Sequence, residues 1–121
     1  MKNMLLVFLG GGIGSALRYL VSTFFVLSAN AFPMATFMVN IIGSLLIGIL
    51  MAIFLDHSGV QENWKLLLIT GFCGGFTTFS AFSKESFMMI QNQQWPTLAL
   101  YILLSILVCI GATALGFYLA K

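Results

Sequence analysis

Charge is what this 121-residue sequence has least of: five Lys or Arg, three Asp or Glu, and a single His. A soluble domain carries about 25% charged residues, against 7% here. Lys2, Arg18, Asp56, Glu62, Lys65, Lys84, Glu85 and Lys121 could not clothe a globular surface. That shortage excludes a soluble enzyme, an appended domain and a disordered regulator. A formal net charge of +2, scattered along the chain, also excludes a nucleic-acid binder, which needs a basic footprint. Cysteine is nearly as scarce. Cys73 and Cys109 both fall inside apolar runs, at a spacing that fits no metal site, and a structural disulfide there is not expected. They read as small polarizable packing residues. His57 is alone in a loop and reads as a solvated side chain. The two prolines, Pro33 and Pro96, lie between apolar runs, at or just before helix starts, where a missing N–H costs little.

What is abundant is hydrocarbon, with 60% of residues apolar or aromatic. A bilayer core roughly 30 Å thick needs about 20 apolar residues per helical crossing. Four runs meet that length, at 4–27, 35–55, 66–90 and 97–120, joined by short polar stretches. Trp64, Trp95 and Tyr118 fall near run ends, where interfacial anchors belong. The expected fold is an all-α integral membrane unit, one domain over 1–121 with four transmembrane helices. Lys2 and the Ala29-Asn30-Ala31 triplet resemble parts of a signal peptide. The first run is longer than a signal's core of about 7–15 residues and contains Arg18, so a membrane helix is expected instead. With an even number of crossings, Lys2, Lys65 and Lys121 share one side against Lys84 on the other. So small a bias sets orientation weakly, and insertion both ways up is compatible with it.

Polar groups inside the runs carry the functional information, because each costs free energy unless it meets a partner or water. Arg18 lies nine residues from the end of its run, a depth of about 14 Å, at a cost of roughly 2.5–3.5 kcal/mol on insertion scales. Snorkelling with hydrogen bonds to carbonyls and a place beside an ion path both accommodate it. Lys84 and Glu85 are close enough to the end of the third run to reach the interface. Gly10-Gly11-Gly12-Ile13-Gly14 lacks the strand and glycine spacing of a phosphate loop. Small-xxx-small helix packing suits it better, with Gly10/Gly14, Gly71/Gly75, Ser44/Gly48 and Ala112/Gly116 as candidate contact pairs.

The third run contains Gly71-Phe72-Cys73-Gly74-Gly75-Phe76-Thr77-Thr78-Phe79-Ser80-Ala81-Phe82-Ser83. Two glycines followed by two β-branched threonines make the weakest helical stretch in the chain. A break there would expose carbonyls able to hold a cation and N–H groups that favour an anion. Beyond it Phe79 and Phe82 share a helix face, with Ser80 and Ser83 as a neighbouring hydroxyl row. Two core phenylalanines beside a packing groove would give the same pattern. Asn40, five residues into the second run, needs a hydrogen-bond partner. Tyr101, Ser105 and Cys109 recur every four residues on the fourth, with Thr113 extending the stripe.

GFCGGFTTFSAF, together with Asn40 in VNIIGS and Arg18 in GSALRYL, resembles the Fluc (CrcB) family of bacterial fluoride channels over the whole chain. The resemblance implies a fluoride-selective channel in the bacterial cytoplasmic (inner) membrane. It would be an antiparallel, dual-topology homodimer with two pores, lowering cytoplasmic fluoride by passive conduction. It further implies a third helix broken mid-membrane, with the carbonyls of Gly74 and Thr77 from both subunits around a structural Na⁺. Phe79 and Phe82 would be pore phenylalanines and Asn40 a pore-lining amide donor. Ser80, Tyr101 and Ser105 would supply pore hydroxyls, and Arg18 and Glu85 would sit near the pore's ends or vestibules. Ala81 stands where the family often has threonine, and Cys109 where a hydroxyl is usual.

Ring edges carry partial positive charge, so Phe79 and Phe82 can favour an anion without a fixed charge. Several weak donors in series replace hydration yet still release the ion. Four helices are too few to enclose such a path, so bundle geometry also calls for a second copy. The alternative is a small dual-topology multidrug or cation exporter. That chemistry depends on a membrane-buried carboxylate, for which Glu85 is the one candidate.

Overall fold

Apolar runs without internal proline form long helices, and the computed structural model describes residues 1–25, 31–56 and 62–121. The described chain is helical, and four segments are long and apolar enough to cross a membrane: Lys2–Thr23, Met34–Leu55, Glu62–Gln91 and Trp95–Ala120. We label the helices α1 (Lys2–Thr23), α2 (Met34–Asp56), α3 (62–76), α4 (Phe79–Gln91) and α5 (Trp95–Ala120). The third crossing is thus two helices, α3 and α4, meeting at a bend. Within α3, Lys65–Cys73 is wound as a π-helix between short α-helical turns. His57, the Ala29-Asn30 part of the signal-like triplet and the expected end of the first run at Leu27 lie outside the described residues.

Helix ends have local causes. The first helix ends at Thr23, short of the expected 27. Its last turn is loosened where Ser22 and Thr23 donate their hydroxyls to the carbonyls of Tyr19 and Leu20, at 2.6 and 2.7 Å. Arg18 is therefore five residues from the helix end, not nine, about 8 Å along the axis. Helix α4 closes on Gln93, whose φ of 56° puts a non-glycine residue in the left-handed region. The Gln94 amide then reaches back to the Met89 carbonyl at 2.9 Å and the Gln93 amide to Ile90 at 3.1 Å, a Schellman closure. Pro96 falls in the first turn of α5, where its missing N–H is harmless.

Small residues bring the helices together in two tight pairs. A Cβ at Gly10 would overlap the Leu67 carbonyl, and one at Gly14 the Phe72 carbonyl. Gly75 likewise abuts the backbone of Gly11, so α1 and α3 touch main chain to main chain. In the second pair Gly48 meets the Thr113 carbonyl and Gly116 meets that of Leu45, locking α2 onto α5. The expected pairs Gly10/Gly14 and Gly71/Gly75 make such contacts, as do Gly48 and Gly116 of the other two, while Ser44 lines a cavity beside the bend; helices in lipid associate by such close packing. Helix α4 leans on α5 through Met89, Leu98 and Tyr101, with Phe32, Phe37, Phe82 and Ile102 packed around them. Outward faces carry exposed apolar side chains such as Phe8, Leu17, Leu103 and Ile110, as lipid contact requires. Trp64, Trp95 and Tyr118 are also exposed near segment ends.

Candidate ion path at the helix break

The break falls within the expected Gly-Gly-Phe-Thr-Thr stretch: both glycines are helical and the chain opens at the two threonines. Thr77 has ψ 159° and Thr78 has φ −152° and ψ 120°, two extended residues between α3 and α4. Gly75 is held in helix by its contact with Gly11. The threonines leave the helix because other groups satisfy what the backbone loses. The Cys73 carbonyl keeps its helical bond from the Thr77 N–H at 2.9 Å and accepts the Thr77 hydroxyl as well, at 2.8 Å. The Thr78 hydroxyl caps α4 by accepting from the Ala81 amide at 3.2 Å.

Two side chains from other helices complete the break. Arg18 on α1 donates Nη1–H to the Thr77 carbonyl at 3.0 Å. Asn40 on α2 accepts the Thr78 N–H at Oδ1, 2.8 Å away, and donates Nδ2–H to the Thr78 carbonyl at 3.1 Å. The orientation of the Asn40 amide follows from Thr78 itself, whose N–H can only donate and whose carbonyl can only accept. Ser15, one turn before Arg18, adds a bond from its hydroxyl to the Gly75 carbonyl at 3.3 Å. In lipid a helix can open only where protein groups or a cavity take over its backbone bonds, and here both are present.

Beside the break is an open-sided cavity of ≈ 280 Å³, lined by Asn40, Ser44, Ile47, Thr77, Thr78, Phe79, Phe82, Ser105, Ile106 and Cys109. Its wall is mostly hydrocarbon and ring, with isolated hydroxyl, amide and thiol groups. Phe79 is 79% exposed, and its ring centroid lies 5.5 Å from that of Phe82. Phe82 in turn stands 5.0 Å from the Tyr101 ring. The cavity thus gathers Asn40, Phe79, Phe82 and Ser105 from three separated stretches of sequence.

The remaining residues expected along the pore lie outside the cavity lining. Tyr101 is fully buried, beyond the cavity wall, and donates its hydroxyl to Glu85 Oε2 at 2.7 Å. Thr36 donates to Oε1 of the same carboxylate at 2.6 Å. Glu85 therefore does not extend to the interface, as its position in the run suggested: two hydroxyls hold it between α2, α4 and α5. Lys84 is exposed. Ser80 and Ser83 do not form a free hydroxyl row, because Ser80 pairs with the Thr78 hydroxyl at 3.1 Å and Ser83 donates to the Phe79 carbonyl at 3.0 Å. Cys73 is buried and Cys109 partly so, both as free thiols. Thr36 and Ser15 were not singled out from sequence. Thr36 is four residues before Asn40 and Ser15 three before Arg18, so helical register relative to a known polar residue is the signal that finds them.

No group of three His, Cys, Asp or Glu side chains that could hold a metal exists among the described residues. A hard cation would instead use carbonyl oxygens. Gly74 is on an exposed face, where a side chain would meet only the Ile69 carbonyl at 3.9 Å. The Thr77 carbonyl has one lone pair engaged by Arg18 and a second remaining.

Comparison with known proteins adds independent information. A family model described as "CrcB-like protein, Camphor Resistance (CrcB)" matches residues 5–117. A protein of Azobacteroides pseudotrichonymphae named fluoride-specific ion channel FluC is 46% identical, covering 100% of this chain and 98% of its own. A Coxiella burnetii protein of the same name is 45% identical, with 98% of each chain covered. One from Flavobacterium psychrophilum, again so named, is 44% identical over 100% of this chain and 98% of its own.

Proposed function

The chain belongs to the CrcB-like family, and from that premise we propose that it is a fluoride-selective channel. It conducts F⁻ passively across the bacterial inner membrane and lowers cytoplasmic fluoride. The observation that carries this reading is the cavity at the break, where Asn40, Phe79, Phe82 and Ser105 meet. Fluoride is small and strongly hydrated, so a path for it must offer many weak donors rather than one strong charge. Ring edges, an amide and hydroxyls meet that requirement. Arg18, Ser80, Tyr101 and Glu85 act around this path, the first through the break and the others by fixing α4 and its aromatic neighbours. No enzymatic step is involved.

The working unit in this reading is an antiparallel homodimer of dual topology, with two pores. The open side of the cavity and the exposure of Phe79 support it, since one chain leaves the path unwalled. The weak Lys bias supports insertion in both orientations. A structural Na⁺ fits the same arrangement. Carbonyls of Gly74 and Thr77 are hard oxygen donors of the kind such cations take, and two from one chain are too few to enclose an ion. A second copy would double them. When bound, the ion would supply a fixed positive charge tying the two breaks together. The exporter alternative gains nothing from the structure, because the carboxylate it needs, Glu85, already accepts from two hydroxyls.

The test is efflux from liposomes loaded with potassium fluoride, followed with a fluoride electrode after a K⁺ ionophore sets the potential. Fluoride should leave the reconstituted vesicles rapidly. Retention of fluoride would reject the reading.

A further inference from the structure

The peptide unit joining Thr77 to Thr78 is gripped at both ends by side chains from different helices. Its carbonyl accepts from Arg18 at 3.0 Å and its N–H donates to Asn40 Oδ1 at 2.8 Å. The two grips lie on opposite edges of one planar amide, because a trans peptide points its C=O and N–H in opposite directions. Asn40 passes the arrangement on. Its amide accepts at Oδ1, and Nδ2 carries two hydrogens, one of which goes to the Thr78 carbonyl. Asn40 also lines the cavity, whereas Arg18 is not among the lining residues.

We propose that Arg18 is a positioning residue for anion conduction, acting on the path through the Thr77–Thr78 peptide and the Asn40 amide as a polarised relay. The proposal rests on the reading of the cavity as an anion path. Hydrogen bonds in series polarise one another, most strongly in a low-dielectric interior. The guanidinium is always charged. It draws electron density toward the Thr77 oxygen, strengthens the Thr78 N–H as a donor, and so makes the second Nδ2–H of Asn40 a better donor toward the cavity. The relay conveys part of a full positive charge to the path while keeping the charge itself away from it. A cation placed in the cavity would hold the anion too firmly for conduction.

The geometry is fixed by the α1–α3 glycine contacts. With Gly10, Gly11 and Gly14 against the α3 backbone, Ser15 and Arg18 have a set height relative to the last carbonyls of α3. Those carbonyls form the negative end of the α3 dipole, a favourable place for a cation.

Magnetic resonance on the full-length, isotope-labelled protein in lipid nanodiscs tests the relay. Arg18→Gln removes the charge and Arg18→Lys keeps it. In Arg18→Gln the Thr78 amide proton and the Asn40 side-chain amide protons should move upfield, with the Gly116 amide on the far helix pair unmoved. Fluoride flux through the same variant should fall several-fold, and Arg18→Lys should restore part of both. Unchanged Thr78 and Asn40 resonances in Arg18→Gln would overturn the relay, as would shifted resonances with wild-type flux. Should Arg18→Gln not assemble, Arg18→Lys carries the test, with smaller shifts of the same sign expected and unchanged resonances overturning it. The resonance comparison needs no fluoride, so its failure is distinct from wild-type protein conducting none.

Discussion

Tyr101 donates its hydroxyl to Oε2 of Glu85 at 2.7 Å while its ring stands 5.0 Å from Phe82. One residue therefore fixes a partly buried carboxylate and a wall of the cavity together. Thr36 completes the carboxylate's shell from α2. In a membrane interior such bonds tie helices together, at about 1–2 kcal/mol each in model peptides.

Tyr101→Phe keeps the ring and removes the donor. It should lower stability in detergent by about 1–2 kcal/mol, measured by denaturant titration, while fluoride flux at full occupancy of the fold changes little. A stability equal to wild type would mean that the Tyr101–Glu85 bond contributes nothing net.

Gly14→Ala and Gly75→Ala put a Cβ into backbone on the facing helix, and overpacking of this kind costs typically 1–3 kcal/mol. Both variants should unfold at lower denaturant than wild type. Gly12→Ala, where nothing lies within 4 Å, should be tolerated by the single-chain fold. Equal behaviour of all three would contradict the α1–α3 contact.

Asn40→Asp retains an acceptor for the Thr78 N–H but loses the donor to the Thr78 carbonyl and brings a carboxylate to the cavity. Fluoride flux should be lost while size-exclusion elution is unchanged. Wild-type flux in Asn40→Asp would remove this side chain from the path.

Phe79→Ile and Phe82→Ile replace a ring edge with aliphatic surface of no quadrupole. Each should suppress fluoride throughput without preventing assembly. Unchanged flux in either would free that ring from a role in conduction.

How much of this was legible in sequence follows from the range over which each feature is determined. The four crossings are a property of composition, and they were. The small-residue pairs were readable for the same reason: close approach in lipid depends on side-chain size at helical spacing. The stretch that breaks was readable from its glycines and threonines, but not which of those residues would open. Gly74 and Gly75 are poor helix formers by local propensity, but Gly75 is pressed against Gly11 and stays helical. Thr77 and Thr78 open because Arg18 and Asn40 arrive from 59 and 38 residues away. Glu85 shows the same limit. Its place near a run end suggests snorkelling, and only the fold brings Thr36, 49 residues distant, to its carboxylate. Asn40 was expected to need a partner, and Thr78 is that partner on both sides of its amide. The grouping of Phe79 with Phe82 was readable from spacing, while Tyr101 behind them needed the packing of α5.

Dual topology can be addressed by labelling single cysteines placed near each end of α5 from opposite sides of intact vesicles. Accessibility of each position from both sides is expected. Labelling from one side alone would reject the antiparallel dimer and leave the single-chain fold untouched.

The central claim, passive and selective fluoride conduction, is tested most directly by the reversal potential in a planar bilayer with opposed fluoride and chloride gradients. The current should reverse at the equilibrium potential of fluoride and follow it when the fluoride gradient alone is changed. Reversal at the chloride potential, or the absence of current under a fluoride gradient, would contradict it.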